Sequence, residues 1–283
     1  MFFVPFLIML REGLEAALIV SLIASYLART GRSRWMGAIW AGAISAALLC
    51  FAVGWGINET TGEFPQKQQE LFEGIVAVIA VGMLSYMVFW MRKVAGSSKA
   101  NLEQAVERAL SGGSNRRQAL ALVAMVFLAV AREGMESVFF LLAAFQQDVG
   151  AAAPAGAVVG LLTAIVLGFA LYFGGTRLPL GAFFRWSSVF ILFVAAGLAA
   201  GAIRAFHEAG LWNHFQDIAF NFSQLLSTHS LAGTLLEGLL GYQETPSVSE
   251  VGVYLLYLIP ALVLFFRERP ESHPRSSKVL LSD

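Results

Sequence analysis

Charged residues are scarce in this chain: aspartate, glutamate, lysine and arginine make up only 13% of its 283 residues. Soluble domains carry about 25% charged residues. Here 57% of the residues are hydrophobic and the mean hydropathy is +0.68, so the composition excludes an ordinary soluble domain and indicates a membrane protein. Acidic and basic residues cancel to a net charge of zero, and we expect no nucleic-acid partner.

Cysteine and histidine are nearly absent as well. The single cysteine, Cys50, excludes an internal disulfide and a cysteine-rich metal site, and its apolar surroundings predict a small buried side chain. All four histidines fall outside the predicted membrane spans, which argues against a membrane oxidoreductase with an intramembrane haem. The sequence also lacks a nucleotide-binding motif, so we expect no ATP hydrolysis, no enzymatic activity and no cofactor.

Long hydrophobic runs, in contrast, are numerous. Each is near the ~20 residues that a helix needs to cross a bilayer. The seven runs are 4–27, 36–57, 72–91, 118–145, 155–175, 183–204 and 248–266. They predict an all-α, polytopic membrane protein with one transmembrane domain over 1–267 and a disordered tail over 268–283. We expect no cleaved signal peptide, because the first run also contains Arg11, Glu12 and Glu15.

Lysine and arginine concentrate in one set of connections between the runs. This set contains Arg29, Arg32, Arg34, Arg92, Lys93, Lys99, Arg108, Arg116, Arg117, Arg177 and Arg185. The opposite set offers only Lys67 and, at a span end, Arg204. The positive-inside rule therefore predicts an outer N-terminus and a cytoplasmic C-terminus. Interfacial anchors are predicted at Trp35, Trp55, Trp90, Trp186 and Trp212, which lie near span ends.

Three connections are long enough to have structure of their own. Residues 58–71 form an outer loop, and 93–117 form a basic cytoplasmic loop with a predicted helix around Asn101–Leu110. Residues 205–247 form an outer amphipathic segment. Its apolar residues from Leu211 to Leu226 recur at roughly helical spacing, which predicts an interfacial or re-entrant helix.

Two stretches of one pattern place charge inside the hydrophobic runs: R-E-G-L-E at 11–15 and R-E-G-M-E at 132–136. An ionisable residue at membrane depth costs roughly 2.5–3.5 kcal/mol on insertion scales, so six of them indicate a function. On a helix, each arginine and both its glutamates share one arc, with the arginine and second glutamate at i,i+4. Gly13 and Gly134 point away from that arc, and Gly13 with Ala17 predicts a surface for close helix packing.

The two copies lie in the first and fourth spans, which run in opposite directions. Spans 1–3 (about 4–91) and 4–6 (about 118–204) are therefore predicted to form an inverted repeat with a site at their pseudo-two-fold axis. If the polar stripes face one another, four carboxylates and two guanidiniums give a formal charge of −2. Oxygen ligands of this kind suit iron, manganese or magnesium. The alternative is two structural ion pairs that only fix helix packing, which the repetition of the motif disfavours.

The two R-E-G-x-E copies resemble the signature of the oxidase-dependent iron permease family of fungi and bacteria. The resemblance covers nearly the whole chain apart from the tail after about residue 267, and it implies iron import across a bacterial inner membrane. The residues implied to bind iron in transit are Glu12, Glu15, Glu133 and Glu136, with Arg11 and Arg132 as charge partners. The family's outer E-x-x-E matches Glu70 and Glu73, which would collect the ion. The resemblance also implies two partners, a periplasmic iron-binding protein and a haem peroxidase.

Other interpretations stay open from the sequence. A manganese or general divalent cation importer would use the same carboxylates, and a non-transporting sensor or assembly subunit could carry the same motifs. The formal charge balances Fe²⁺, while a change of protonation would accommodate Fe³⁺. His207, Glu208 and His214 could form a second outer metal site or simply a polar outer rim.

Overall fold

The computed structural model describes residues 2–61, 65–94, 98–111, 114–146, 151–173, 180–228 and 230–267. These ranges contain nine α-helices, a 3-10 turn at Ser33–Trp35 and one isolated β-bridge between Ile218 and Ser247. The helices are α1 (Phe3–Arg29), α2 (Met36–Thr61), α3 (Gln66–Val94), α4 (Ser98–Leu110), α5 (Asn115–Gln146), α6 (Ala152–Tyr172), α7 (Leu180–Glu208), α8 (Leu231–Leu240) and α9 (Val248–Arg267). The predicted all-α class is confirmed for the described residues, while the predicted tail over 268–283 lies outside them.

All seven predicted hydrophobic runs correspond to helices, namely α1, α2, α3, α5, α6, α7 and α9; in the run at 155–175, residues 174 and 175 lie outside the described residues. Within the described ranges, six helices are long and apolar enough to cross a membrane, namely all of these except α1. The chain is therefore a multi-pass membrane protein. Helix α1 is 27 residues long, but it carries the three charges of the first motif, and its place as a seventh span stays a prediction.

Helices α1 and α6 pack along each other through small residues. A Cβ added at Gly160 would come within 2.3 Å of the Phe6 carbonyl oxygen, and one at Gly168 within 2.7 Å of the Ala17 Cβ. Residue numbers rise together along this contact, so the two helices run parallel. Gly13 faces the same seam, where an added Cβ would lie 2.7 Å from the Ala164 Cβ. The close-packing surface predicted at Gly13 and Ala17 is confirmed.

Helices α2 and α5 form a second parallel pair. A Cβ at Gly42 would lie 2.7 Å from the Val123 carbonyl oxygen, and one at Gly134 would lie 2.6 Å from the Cys50 Sγ. Cys50 is buried in this seam, as its apolar surroundings predicted. Because a short turn joins α1 to α2 and reverses the chain, α5 runs parallel to α2 and antiparallel to α1.

Besides these two pairs, α3, α7 and α9 form a third group of packed helices. Helix α3 packs along α7 in the antiparallel sense, with Gly74 near the start of α3 against Phe206 near the end of α7. Helix α9 returns along α7. Together with the start of α1 and part of α5, these helices enclose the largest apolar cluster among the described residues, which includes Leu84, Phe140 and Phe265.

The predicted cytoplasmic helix around Asn101–Leu110 is confirmed as α4. It buries Val106 and Leu110 against α1 and α5. Glu107 on its outer side accepts hydrogen bonds from Tyr26 and, at 3.0 Å, from Arg32. These two bonds, the Tyr26 bond foremost, lower the pKa of Glu107 from its ordinary value of 4.5. The helix is thus attached to the end of α1, downstream of the first motif.

The helix predicted from the apolar spacing of Leu211–Leu226 is wrong. Helix α7 ends at Glu208, Gly210 adopts a positive φ of 74°, and 211–228 is irregular. Its backbone instead bonds to residues 244–249: Ala219 N donates to Pro246 O at 2.9 Å, and Val248 N donates to Asp217 O at 2.9 Å. These partners are distant in sequence, so local spacing gave no sign of them. Helix α8 forms only afterwards and ends at Gly241, with φ of 67°.

One predicted interfacial anchor is also wrong. Trp35 is buried, only 8% exposed, and packs in the cluster formed by α1, α2, α4 and α5. Trp55 and Trp186, in contrast, are largely exposed, as expected of side chains at a membrane surface. The position of Trp90 belongs to the site described next.

Candidate metal centre

The antiparallel helices α1 and α5 bring the two motifs face to face. The carboxylates of Glu12, Glu133 and Glu136 each offer an oxygen, and these oxygens all lie within 4.8 Å of one another. We call these three residues the carboxylate cluster. Glu12 is 1% exposed and Glu133 is 8% exposed, so the cluster lies inside the helix bundle. Residues that are far apart in sequence thus meet in one place.

The fourth motif glutamate, Glu15, is not one of these three, although it interacts electrostatically with Glu133 and Glu136. It stands almost one turn further along α1, and its Oε1 is 3.4 Å from Arg11 Nε. The second motif has the matching pair, with Glu136 Oε1 at 3.3 Å from Arg132 Nε. Both i,i+4 ion pairs predicted from the spacing are confirmed. In the second motif, however, the paired glutamate also belongs to the cluster, whereas in the first it does not.

The two motif arginines have different surroundings. Arg11 is fully buried, and its Nη2 donates to the thioether sulfur of Met91 at 3.0 Å. Arg132 is 49% exposed, and its guanidinium lies over the Trp90 ring at 4.8 Å from the centroid. Both contacts come from consecutive residues near the end of α3. Trp90 was predicted as an interfacial anchor, and the structure instead places it under a motif arginine.

The site contains buried charge without hydrogen-bond partners. Within the described part of the chain, both oxygens of Glu12, Oε1 of Glu15, and Nε and Nη1 of Arg11 accept or donate no hydrogen bond. Arg11 and Glu15 still form an ion pair with each other, whereas Glu12 has no ion pair among the described residues. An unpaired buried ion costs several kcal/mol, so Glu12 is unfavourable unless something neutralises it. The donor set is all carboxylate oxygen, without thiolate or imidazole, which fits a hard or borderline divalent cation. A cation among these oxygens would supply the missing partner.

The predicted outer collection residues, Glu70 and Glu73, lie in the first turns of α3. The carboxyl group of Glu70 is within hydrogen-bond reach of Glu208 at the end of α7, and Glu73 lies near Arg204. Arg204 also donates to Glu250 of α9 at 2.7 Å. The fold therefore gathers acidic residues of three helices at this end. A role for them in collecting cations stays a prediction.

His207 and His214 of the outer region have different partners. His207 Nε2 is 3.3 Å from the hydroxyl oxygen of Ser249, and the His214 ring packs edge-on against Trp212. Among the described residues, the carboxylate cluster is the group whose ligand atoms are close enough to hold a metal ion together. The polar outer rim is the better description of His207 and His214.

Sequence reasoning missed Met91. It lies 80 residues from Arg11 and looks like any other apolar residue of a membrane span. No local pattern separates it from its neighbours, and Arg11 reaches it only because α3 ends beside the motif helices. The ion pair between Arg204 and Glu250 was missed for the same reason.

Comparison with known proteins gives matches over nearly the whole chain. Residues 2–268 match the Iron permease FTR1 family. "Ferrous iron permease EfeU" of Yersinia pestis is 72% identical over 264 residues, covering 93% of this chain and 93% of that protein. The protein of the same name from Escherichia coli O157:H7 is 73% identical over 263 residues, covering 93% and 95%. No solved structure matches.

Proposed function

The chain belongs to the Iron permease FTR1 family, and from that premise we propose that it imports ferrous iron across a bacterial inner membrane through the carboxylate cluster. The observation that carries the proposal is the approach of Glu12, Glu133 and Glu136 to within 4.8 Å across two helices. The names of the two relatives support ferrous iron as the cargo. A formal charge of −2 on the two motifs together would balance Fe²⁺.

The proposal includes the inverted repeat of spans 1–3 and 4–6, with α1 as a seventh span. Contacts between the helices support it. Gly42 meets the backbone of Val123, and Gly156 meets the backbone of Phe2 in the same way. Gly13 meets Ala164 as Gly134 meets Cys50. These four contacts form two equivalent pairs. In both pairs the α5 residue follows its α1 counterpart by the same number of positions, and the α6 residue likewise follows its α2 counterpart by a constant number, as a pseudo-two-fold axis requires.

Within this architecture the glutamates of the motifs replace part of the hydration shell of the ion. An entering ion gives up part of its hydration shell, and carboxylate oxygens of the cluster replace the lost waters. Arg11 and Arg132 limit the repulsion between the glutamates before the ion arrives. Alternating access between the two repeats would then expose the ion to the cytoplasm. An inside-negative membrane potential favours this direction by about 2.3 kcal/mol per charge per 100 mV.

The orientation and the partners belong to the same proposal. The basic connections put the N-terminus in the periplasm and the C-terminus in the cytoplasm. Glu70 and Glu73 would then face the periplasm and collect the ion before it reaches the cluster. A periplasmic iron-binding protein and a haem peroxidase would act upstream, delivering or preparing the iron.

The test is metal-resolved uptake by purified protein in proteoliposomes. We expect saturable uptake of Fe²⁺ that excess Mn²⁺ does not suppress, and a loss of at least about tenfold in iron affinity for Glu12→Gln. Glu103→Gln, a change on the cytoplasmic helix α4 away from the cluster, is the matched control and should transport normally. Equal transport of manganese would favour a general divalent importer. Unchanged uptake in Glu12→Gln would favour a sensor or assembly subunit.

A further inference from the structure

One turn of α3 contacts the arginines of both motifs. Met91 accepts a hydrogen bond from Arg11 of α1, and Trp90 presents its ring to Arg132 of α5. Consecutive residues on a helix point about 100° apart, so neighbouring positions can reach two different helices. Helix α3 carries neither motif, yet it contacts the arginine of each of them.

The Met91 contact determines which N–H donors of Arg11 remain available to the carboxylates. A guanidinium has five N–H donors and pairs best with carboxylate oxygens, while a thioether sulfur is a weak acceptor. Arg11 directs Nη2 to that weak acceptor at 3.0 Å, while both oxygens of Glu12, one residue away, accept nothing. Arg11 thus gives its hydrogen bond to α3 and its ion pair to Glu15, and none of its N–H groups donates to a carboxylate of the cluster.

The Trp90 contact likewise holds the arginine of the second motif without using a carboxylate oxygen. A cation over the face of a tryptophan ring is attracted by the ring's quadrupole without using any carboxylate oxygen. Arg132 keeps its single ion pair with Glu136 at 3.3 Å while its guanidinium lies over the ring. Glu133 and the other oxygen of Glu136 therefore stay available to bind a cation.

We propose that Met91 and Trp90 are positioning residues, which hold the motif arginines beside the carboxylate cluster so that the oxygens that no guanidinium contacts stay available to a metal cation. This inference rests on the proposed iron transport and names residues that set its affinity. Met91 and Trp90 bind the guanidiniums only weakly. When the ion leaves, Arg11 and Arg132 can therefore exchange these contacts for hydrogen bonds to the glutamates. That exchange would limit repulsion in the emptied cluster.

Met91 is tested by two substitutions with opposite expected effects. Met91→Leu keeps the volume but removes the acceptor, so Arg11 should turn to Glu12 and compete with iron. We expect the KM for Fe²⁺ uptake and the dissociation constant of Fe²⁺ to rise about threefold to tenfold, with the maximal rate less affected. Met91→Gln restores an acceptor of similar reach and should bind iron as well as the wild type. A merely structural role predicts the reverse order, since glutamine is the worse residue for packing.

The matched control is Met87, one turn earlier on α3 and 4% exposed in the apolar core. There the leucine variant should resemble the wild type, and the glutamine variant should lose stability. Trp90→Phe, which keeps an aromatic face, should likewise preserve iron affinity better than Trp90→Leu. If Met91→Leu does not accumulate as folded protein, Met91→Ile is the second variant without an acceptor.

The outcomes separate this inference from the function on which it rests. Wild-type protein without saturable iron uptake would overturn the proposed function. Wild-type uptake together with unchanged iron binding in Met91→Leu, or weaker binding in Met91→Gln than in Met91→Leu, would overturn the positioning role alone. Weakening by leucine and recovery by glutamine would establish it.

Discussion

At the scale of single residues, burial separates side chains that are equivalent in the sequence. Arg11 and Arg132 occupy the same position of the same motif, and each pairs with a glutamate at i,i+4. One is fully buried and the other is half exposed. Removing one partner of a buried pair leaves an uncompensated charge and costs about 3–5 kcal/mol, while exposed pairs contribute about 0–1 kcal/mol.

We therefore expect Arg11→Met to lower the thermal stability of the purified protein clearly more than Arg132→Met. The reason is that Arg11→Met leaves the mostly buried carboxylate of Glu15 without its ion-pair partner. Melting temperatures in the same detergent, without added metal, measure the difference. Added Fe²⁺ should recover part of the loss, because a bound cation replaces the missing charge. Equal melting temperatures for the two variants would contradict this account.

At the scale of helices, small residues set the distance between the motif helices and their neighbours. Helices α1 and α6 approach so closely that backbone atoms of one meet glycines of the other. In a membrane, association of this kind relies on close van der Waals packing. The seam matters for the site, because α6 supports the side of α1 opposite to its charged residues.

Gly160→Ala should therefore destabilise the protein, since its Cβ would meet the Phe6 carbonyl oxygen at 2.3 Å and backbone cannot easily move aside. Overpacking of this kind costs about 1–3 kcal/mol. Gly82→Ala on α3 is the control, because nothing lies within 4 Å of its added Cβ. There alanine should be neutral or stabilising by up to about 1 kcal/mol. Unfolding in detergent measures the stability of both variants. A Gly160→Ala variant as stable as Gly82→Ala would show that the contact between α1 and α6 accommodates the added methyl group.

At the scale of the whole molecule, two segments that are distant in sequence contribute to one cluster. Glu12 comes from α1, and Glu133 and Glu136 come from α5. Neither motif alone offers three oxygens in this arrangement. The proposed inverted repeat gives a physical reason, since residues near a pseudo-two-fold axis approach their own counterparts.

A single shared cluster predicts the stoichiometry of binding. In a background with Glu70→Gln and Glu73→Gln, which removes the outer carboxylates, we expect one iron ion per chain by equilibrium dialysis. Adding Glu12→Gln should weaken the binding of that one ion, because the ion loses a ligand. Two independent motifs would behave differently: Glu12→Gln would then leave half of the iron bound with unchanged affinity.

Much of this architecture was predictable because it depends on local chemistry. The positions of the hydrophobic helices follow from runs of apolar residues, and the ion pairs at Arg11 and Arg132 follow from i,i+4 spacing. The irregular path of 211–228 was not predictable, since its backbone partners lie at 244–249. The exclusion of Glu15 from the cluster was not predictable either, because the spacing places it in the same arc as Glu12.

The sequence by itself determined the membrane class, the helices and the charged residues, because hydrophobicity and helical periodicity act over short stretches of chain. Only the tertiary structure decided which of these charges meet. The crossing of α1 and α5 brings Glu12 to Glu133 and Glu136, and the end of α3 places Met91 and Trp90 beside the arginines. Such contacts depend on how whole helices pack, and a local pattern contains no information about the neighbour that a side chain will face.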